Sequence, residues 1–106
     1  MWRSPKLLAS AQHHRCQAEG CSSTHGVVAA HSNAGRHGKG MGIKAADAFV
    51  AFLCFACHSW VDQGRASQEQ KTAVWMGAFE RTVPLIWKYL DDEARAMVQA
   101  ELAHRG

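Results

Sequence analysis

The sequence has no long apolar run. Its longest, from Ala48 to Cys57, covers ten residues, whereas a helix needs about 20 residues to cross a bilayer. The first nine residues also lack the apolar stretch that forms the centre of a secretion signal. We therefore expect a cytoplasmic protein that has no membrane partner.

An excess of charge of one sign is also missing. The formal net charge is only +3, but the charges are unevenly spread. Residues 1–47 contain six Lys and Arg against two acidic residues, and they hold five of the seven histidines; residues 48–106 contain six against seven. The basic first half is compatible with a phosphate backbone as partner, and also with a merely soluble surface.

Cysteine is sparse, and its four copies form two close pairs. Cys16 and Cys21 are separated by four residues and Cys54 and Cys57 by two, with thirty-two residues between the pairs. In a reducing compartment, paired cysteines bind metal more often than they form disulfides. This spacing is typical of a tetrahedral four-thiolate zinc site. The sequence therefore predicts a structural zinc that joins the start of the chain to its middle.

The hydrophobic pattern predicts an α+β fold in a single domain covering residues 1–106. A zinc and hairpin core would occupy about residues 15–65, and a helical region about residues 66–106. The core would contain two antiparallel strands at residues 27–31 and 49–53, followed by a helix over residues 56–63 that ends at Gly64.

Helices are predicted on both sides of this core. Ser4 and Pro5 favour a first helix over residues 5–14. Ser67 and Gln70 fit a capping box, which begins a helix over about residues 68–90 that either continues through Pro84 or breaks just before it. Acidic residues at 91–93 favour the start of a last helix.

The segment between the strands, residues 32–42, is rich in glycine and predicts an exposed loop. It contains no G-x-x-x-x-G-K-[ST] pattern, so it is not a nucleotide-binding P-loop. Arg36, Lys39 and Lys44 are candidates for contact with nucleic acid. His37 is a further side chain that could donate a hydrogen bond to phosphate. A simple flexible connection is the alternative interpretation.

Two histidines are expected to meet at the zinc-tied end of this core. His31 ends the first strand and His58 begins the following helix, with Asp62 four residues later on the same helix face. Hydrolysis of a phosphodiester needs a base for water and a divalent cation at the phosphate. Histidine can serve as that base or hold that cation.

These residues resemble a known family. Cys16-x4-Cys21, Ala30-His31 and Cys54-x2-Cys57-His58 are similar to the HNH endonucleases, whose ββα-metal motif is a hairpin and a helix around a catalytic ion. The segments at residues 27–31, 40–44 and 54–58 resemble more closely the YbcO-type nucleases of phages and prophages. The resemblance covers about residues 5–90.

The resemblance implies a DNA endonuclease of phage or prophage type, acting in DNA processing or recombination. It places Cys16, Cys21, Cys54 and Cys57 on structural zinc, His31 as general base, and His58 as ligand of a catalytic Mg²⁺, Mn²⁺ or other divalent ion. Its partners would be DNA and a phage or host recombination protein.

One position departs from the family pattern. Many HNH enzymes have an acidic metal ligand just before the base, where this chain has Ala30. His37 or Asp62 could replace that ligand, and Asp62 could instead orient His58.

Two other functions fit parts of the sequence. A noncatalytic zinc module that binds DNA or a recombination protein needs the same cysteines but no base. Cys54-x2-Cys57-His58 also matches the haem-attachment pattern, with Met41, Met76 or Met97 as axial ligand. Haem attachment leaves the other two cysteines unexplained, and it normally follows export.

Overall fold

The chain folds as four helices around one antiparallel hairpin in the computed structural model, which describes residues 1–38, 40 and 44–105. The strands are β1 (Val28–His31) and β2 (Val50–Leu53), and the helices are α1 (Pro5–Ser10), α2 (Phe55–Gln63), α3 (Gln68–Ile86) and α4 (Asp92–Arg105). Short 3-10 turns occupy Ala11–His13, Gly35–His37 and Trp87–Tyr89. The α+β class is therefore confirmed.

The strands pair antiparallel, as predicted, with Val28 opposite Leu53 and His31 opposite Val50. All four residues of β2 are buried. Its outer edge is covered at Phe52, whose carbonyl accepts a hydrogen bond from the Gln17 amide at 2.8 Å and whose amide donates to Thr82 Oγ1 at 3.0 Å. Such pairing matters because an unpaired backbone group is costly in a buried strand.

Helix α3 packs across the hairpin and contributes seven buried residues. Trp75 donates from its ring nitrogen to the Ala30 carbonyl of β1 at 3.0 Å. Its ring stacks on Phe79, with centroids 5.3 Å apart. Trp75 is buried and belongs to the core. The helix continues through Pro84 and ends at Ile86, after which residues 87–89 form a 3-10 turn instead of more α-helix.

Helix caps lie where the sequence signals place them. Ser4 Oγ accepts from the Leu7 amide, and Ser67 and Gln70 form the full capping box. Asp91 Oδ1 accepts from the Ala94 amide at 2.8 Å and so fixes the first turn of α4.

In the described part of the glycine-rich segment, four of the eight residues are exposed as predicted, but Ser32 and His37 are buried. Residues 35–37 form a 3-10 turn, and His37 is buried with its ring stacked on Phe49, 4.2 Å between centroids. The prediction of exposure is wrong for His37 because this side chain has polar partners elsewhere in the chain. Lys39 and residues 41–43, which include Met41, lie outside the described residues.

One connected cluster of buried apolar side chains runs from Leu7 in α1 to Val98 in α4. This continuity agrees with a single core for the described chain. None of the described helices combines the length and the apolar character that a bilayer span requires.

Candidate functional site

The four cysteine sulfurs form one compact group. Their ligand atoms all lie within 4.8 Å of one another, and Cys21 Sγ is 3.9 Å from Cys54 Sγ. A tetrahedral zinc with bonds of about 2.3 Å to sulfur requires sulfurs about 3.8 Å apart. The cysteines are free thiols. The group therefore has the ligand type, number and spacing of a zinc site.

The backbone brings the two cysteine pairs together at the open end of the hairpin, beyond the Val28–Leu53 pair. The turn between Cys16 and Cys21 passes through Gly20, which has φ of +76°, a conformation that favours glycine. Gln17 is bonded to β2, and the Phe55 amide at the start of α2 donates to the His25 carbonyl at 3.2 Å. These bonds fix both pairs to the same two strands.

Ionisation of these thiols also points to a cation. Burial raises the pKa of Cys57, and the neighbouring sulfurs raise it further. Burial also acts to raise the pKa of Cys54, but hydrogen bonds from Cys57 and the other thiols outweigh it and lower the pKa to about 7. The four sulfurs cannot all carry charge at this distance without a positive partner. A zinc ion would supply two positive charges at their centre.

His31, at the other end of β1, is paired with Asp47. His31 Nε2 lies 2.8 Å from Asp47 Oδ1, and the His31 side chain keeps 17% of its surface exposed while Asp47 keeps 4%. An ionised carboxylate only accepts hydrogen bonds, so His31 Nε2 carries a proton, and in the neutral imidazole the lone pair is then on Nδ1. That atom has no hydrogen-bond partner within the described part of the chain.

Asp47 is itself held by the first residues of the chain. Its Oδ2 accepts from the Ser4 amide at 2.7 Å, and Oδ1 lies 3.1 Å from the Arg3 guanidinium. Burial acts to raise the pKa of Asp47, but the hydrogen bonds from His31, Ser4 and Arg3 outweigh it and hold that pKa below its usual value. Asp47 therefore stays ionised near neutral pH.

His58 and Asp62 form a second pair on α2. His58 Nε2 is 3.1 Å from Asp62 Oδ2, and the two side chains are 38% and 44% exposed. An exposed imidazole beside an exposed carboxylate offers two ligand types that divalent cations accept. The predicted helix face that unites them is thus present.

His31 and His58 make no hydrogen bond with each other in the described chain, but their elements face a common cavity. Ser32, which follows His31, and Val61, which lies between His58 and Asp62, line the same cavity of about 260 Å³. The second turn of α2 therefore lies opposite the end of β1. Among the described residues, only the cysteines form a group of three or more close metal-binding side chains.

His37 has a different environment from the other candidates. Its side chain is 2% exposed, Nδ1 lies 2.6 Å from Ser32 Oγ, and Nε2 lies 3.1 Å from Glu101 Oε2. Arg36 donates to the same carboxylate at 2.7 Å. This network ties the glycine-rich segment to α4, and it turns His37 away from any ion that enters from solvent.

The remaining basic residues, which were predicted to contact nucleic acid, differ in how free their side chains are to do so. Arg36 is occupied by Glu101, although half of its side chain is exposed. Lys44 is exposed, and its carbonyl accepts from Arg3. Lys39 lies outside the described residues.

Sequence reasoning missed Asp47 and Glu101. Asp47 had a local signal, because it is the only charged residue between Ala45 and Cys57, a run that is otherwise mostly apolar. A carboxylate buried in such a run needs a partner. Glu101 had no such signal, since α4 presents several acids and only its tertiary position distinguishes this one.

No family model, curated protein or solved structure matches the chain.

Proposed function

We propose that this protein is a metal-dependent DNA endonuclease of the HNH type, stabilised by zinc on its four cysteines. The observation that carries the proposal is the His31–Asp47 pair. It gives a partly exposed imidazole a fixed orientation, a defined tautomer and a lone pair free to accept a proton. A histidine with a purely structural role would have no need of that free lone pair beside a cavity.

In the proposed reaction, water attacks the phosphorus while His31 Nδ1 accepts its proton, and the bond to the leaving oxygen breaks. Asp47 keeps the imidazole in position and stabilises the imidazolium that forms. His58 and Asp62 would hold the divalent ion. That ion would neutralise the nonbridging oxygen and stabilise the leaving oxygen.

Asp47 also bears on the missing acid at position 30. The side chain of Ala30 is buried beneath α3, so an acid there would face the core and not the phosphate. The carboxylates available near the proposed site are those of Asp47 and Asp62. Since Asp47 already accepts from three donors and is 4% exposed, whereas Asp62 is 44% exposed, Asp62 is the better candidate for the second ligand.

The test is cleavage of plasmid and single-stranded DNA with added Mg²⁺ or Mn²⁺, at equal zinc content. We compare wild type with His31→Ala and His31→Gln, and with His104→Ala as a matched control at an exposed histidine of α4. Glutamine can still donate to Asp47 but cannot act as a base. Both His31 variants should lose activity by about 10²- to 10⁴-fold, and the control should not.

Two results would count against this mechanism. Equal cutting by wild type and the His31 variants would remove His31 as the base. No cutting by any of them, with DNA binding intact, would favour the noncatalytic zinc module.

A further inference from the structure

The cavity beside the proposed site has the size of one small planar group. It lies between the segment after β1, the second turn of α2 and the first two turns of α3, with a volume of about 260 Å³. Pockets for drug-sized ligands measure about 300 to 1,000 Å³. The cavity is therefore large enough for a single nucleobase and too small for a base pair.

The walls of the cavity combine an apolar floor with an unpaired polar rim. Val61, Trp75 and Met76 are buried and form the floor. Asn33 and Gln68 are exposed at the rim. Within the described chain, the amide groups of these two side chains make no hydrogen bond. Side-chain amides of this kind pair with the polar edges of bases.

Positive charge lies at the same rim. Lys71 lines the cavity from α3, and its ammonium has no ion-pair partner among the described residues. Phosphate contacts from lysine position a nucleic acid without reading its sequence. A base in the cavity would pair with the rim amides of Asn33 and Gln68, and its phosphate would pair with the Lys71 ammonium.

One wall is fixed before any ligand enters. Ser32 is almost fully buried and bonded to His37, and Arg36 is bonded to Glu101. These bonds hold the segment after β1 against α4. The cavity is thus preformed on that side, as most binding pockets for small groups are.

We propose that this cavity receives an unpaired base of the DNA strand being cut, next to the scissile phosphate. The inference rests on the proposed function, because the cavity is lined by Ser32, which follows His31, and by Val61, which lies between His58 and Asp62. A continuous duplex cannot put a stacked base into a cavity of this size without extruding it. The preferred substrate is therefore DNA with an unpaired nucleotide, such as a single strand, a gap or a bulge.

The experiment blocks the cavity and measures binding apart from cleavage. Thr72→Phe places a ring at the cavity wall from an exposed position of α3, and Ala73→Phe places the same ring on the neighbouring exposed position, which does not line the cavity. Zinc content and thermal midpoint establish that both variants fold. Binding is followed by fluorescence anisotropy without added Mg²⁺ or Mn²⁺.

Three labelled DNA duplexes are compared: one with a single unpaired thymidine, one with an abasic residue in its place, and one fully paired. Wild type and Ala73→Phe should bind the unpaired thymidine about tenfold more tightly than the abasic site, an effect of the size that one base contributes. Thr72→Phe should lose that preference and keep its affinity for paired DNA.

Equal affinity of wild type for the thymidine and abasic duplexes, absence of DNA binding, or a preference that survives Thr72→Phe would each overturn the inference. A preference that Thr72→Phe removes, in a protein that fails to cleave DNA, would support the cavity while contradicting the endonuclease. The two proposals can therefore fail separately.

Discussion

His31 and Asp47 are joined by a 2.8 Å contact between Nε2 and Oδ1 across sixteen positions of sequence. The same carboxylate accepts the Ser4 amide at 2.7 Å, so the start of α1 and the end of β1 share one anchor. The orientation of His31 consequently depends on the amino-terminal segment as well as on the hairpin.

Replacing Asp47 by asparagine should reduce catalysis more than it reduces folding. Asparagine keeps one oxygen that can accept from His31 but carries no charge to stabilise an imidazolium, and its NH2 group cannot accept from the Ser4 amide. We expect kcat for DNA cleavage to fall by about 10- to 100-fold, the usual range for a partner that orients a functional histidine. The measurement is kcat and KM over pH, with zinc content equal to that of wild type.

The pH profile separates positioning from structural support. If Asp47 acts through His31, Asp47→Asn should move the acidic limb of the profile, where a general base becomes protonated, whereas Asp92→Asn at an exposed position of α4 should leave the profile as in wild type. A fall in kcat with an unmoved profile and a lower thermal midpoint would assign Asp47 to stability alone.

The second prediction concerns the catalytic ion. His58→Ala should raise the Mn²⁺ concentration needed for half-maximal cleavage, because it removes an exposed ligand, and Asp62→Asn should raise it in the same direction. His37→Ala should leave this concentration unchanged while lowering the thermal midpoint, since His37 is buried against Ser32 and Glu101. A metal titration of each variant measures both effects.

This titration also decides between the two replacements for the missing acid at position 30. An increased metal requirement in His37→Ala, with none in Asp62→Asn, would contradict the assignment made from the geometry.

The grouping of the four cysteines was predictable because they lie in two short motifs whose geometry is local. The His31–Asp47 pair was not, since a contact across sixteen residues depends on how the glycine-rich segment returns to β2. The burial of His37 was not predictable either, because it depends on Glu101, which is distant in sequence. Arg36, next to His37, contacts Glu101 across sixty-five positions. Periodicity located β1, β2 and α3 well, because burial on one face sets their pattern.

The third prediction concerns zinc. Purified protein should contain one zinc per chain, and Cys57→Ser should lose both the metal and the hairpin, since structural zinc contributes about 10 to 16 kcal/mol of apparent binding energy in small domains. Metal analysis and far-UV circular dichroism give the two readouts. Ser22→Ala, beside Cys21 and exposed, is the matched control.

A strong chelator should unfold wild type, and added Zn²⁺ should restore it. An unchanged thermal midpoint in the metal-free protein would show that the sulfur group does not hold the fold.

The last prediction is the acid sensitivity of the contact between α4 and the glycine-rich segment. The hydrogen bond from Arg36 lowers the pKa of Glu101 to about 2, against the opposing effect of burial and with further help from His37. Because the folded pKa lies below the value of about 4.3 in an unfolded chain, the unfolded state binds more protons in this window. The stabilising effect is therefore complete above about pH 4.5 and is lost as pH falls toward 2.

Glu101→Gln should be less stable than wild type near neutral pH, and the difference should shrink as pH falls below about 4.5. Urea unfolding measures the free energy of both proteins at each pH between 3 and 7 at which both still bind one zinc per chain, so that their difference isolates Glu101. Glu93→Gln, at an exposed position in the first turn of α4, should track wild type. A wild-type advantage that stays constant over the whole range would mean that the charge of Glu101 does not stabilise this contact.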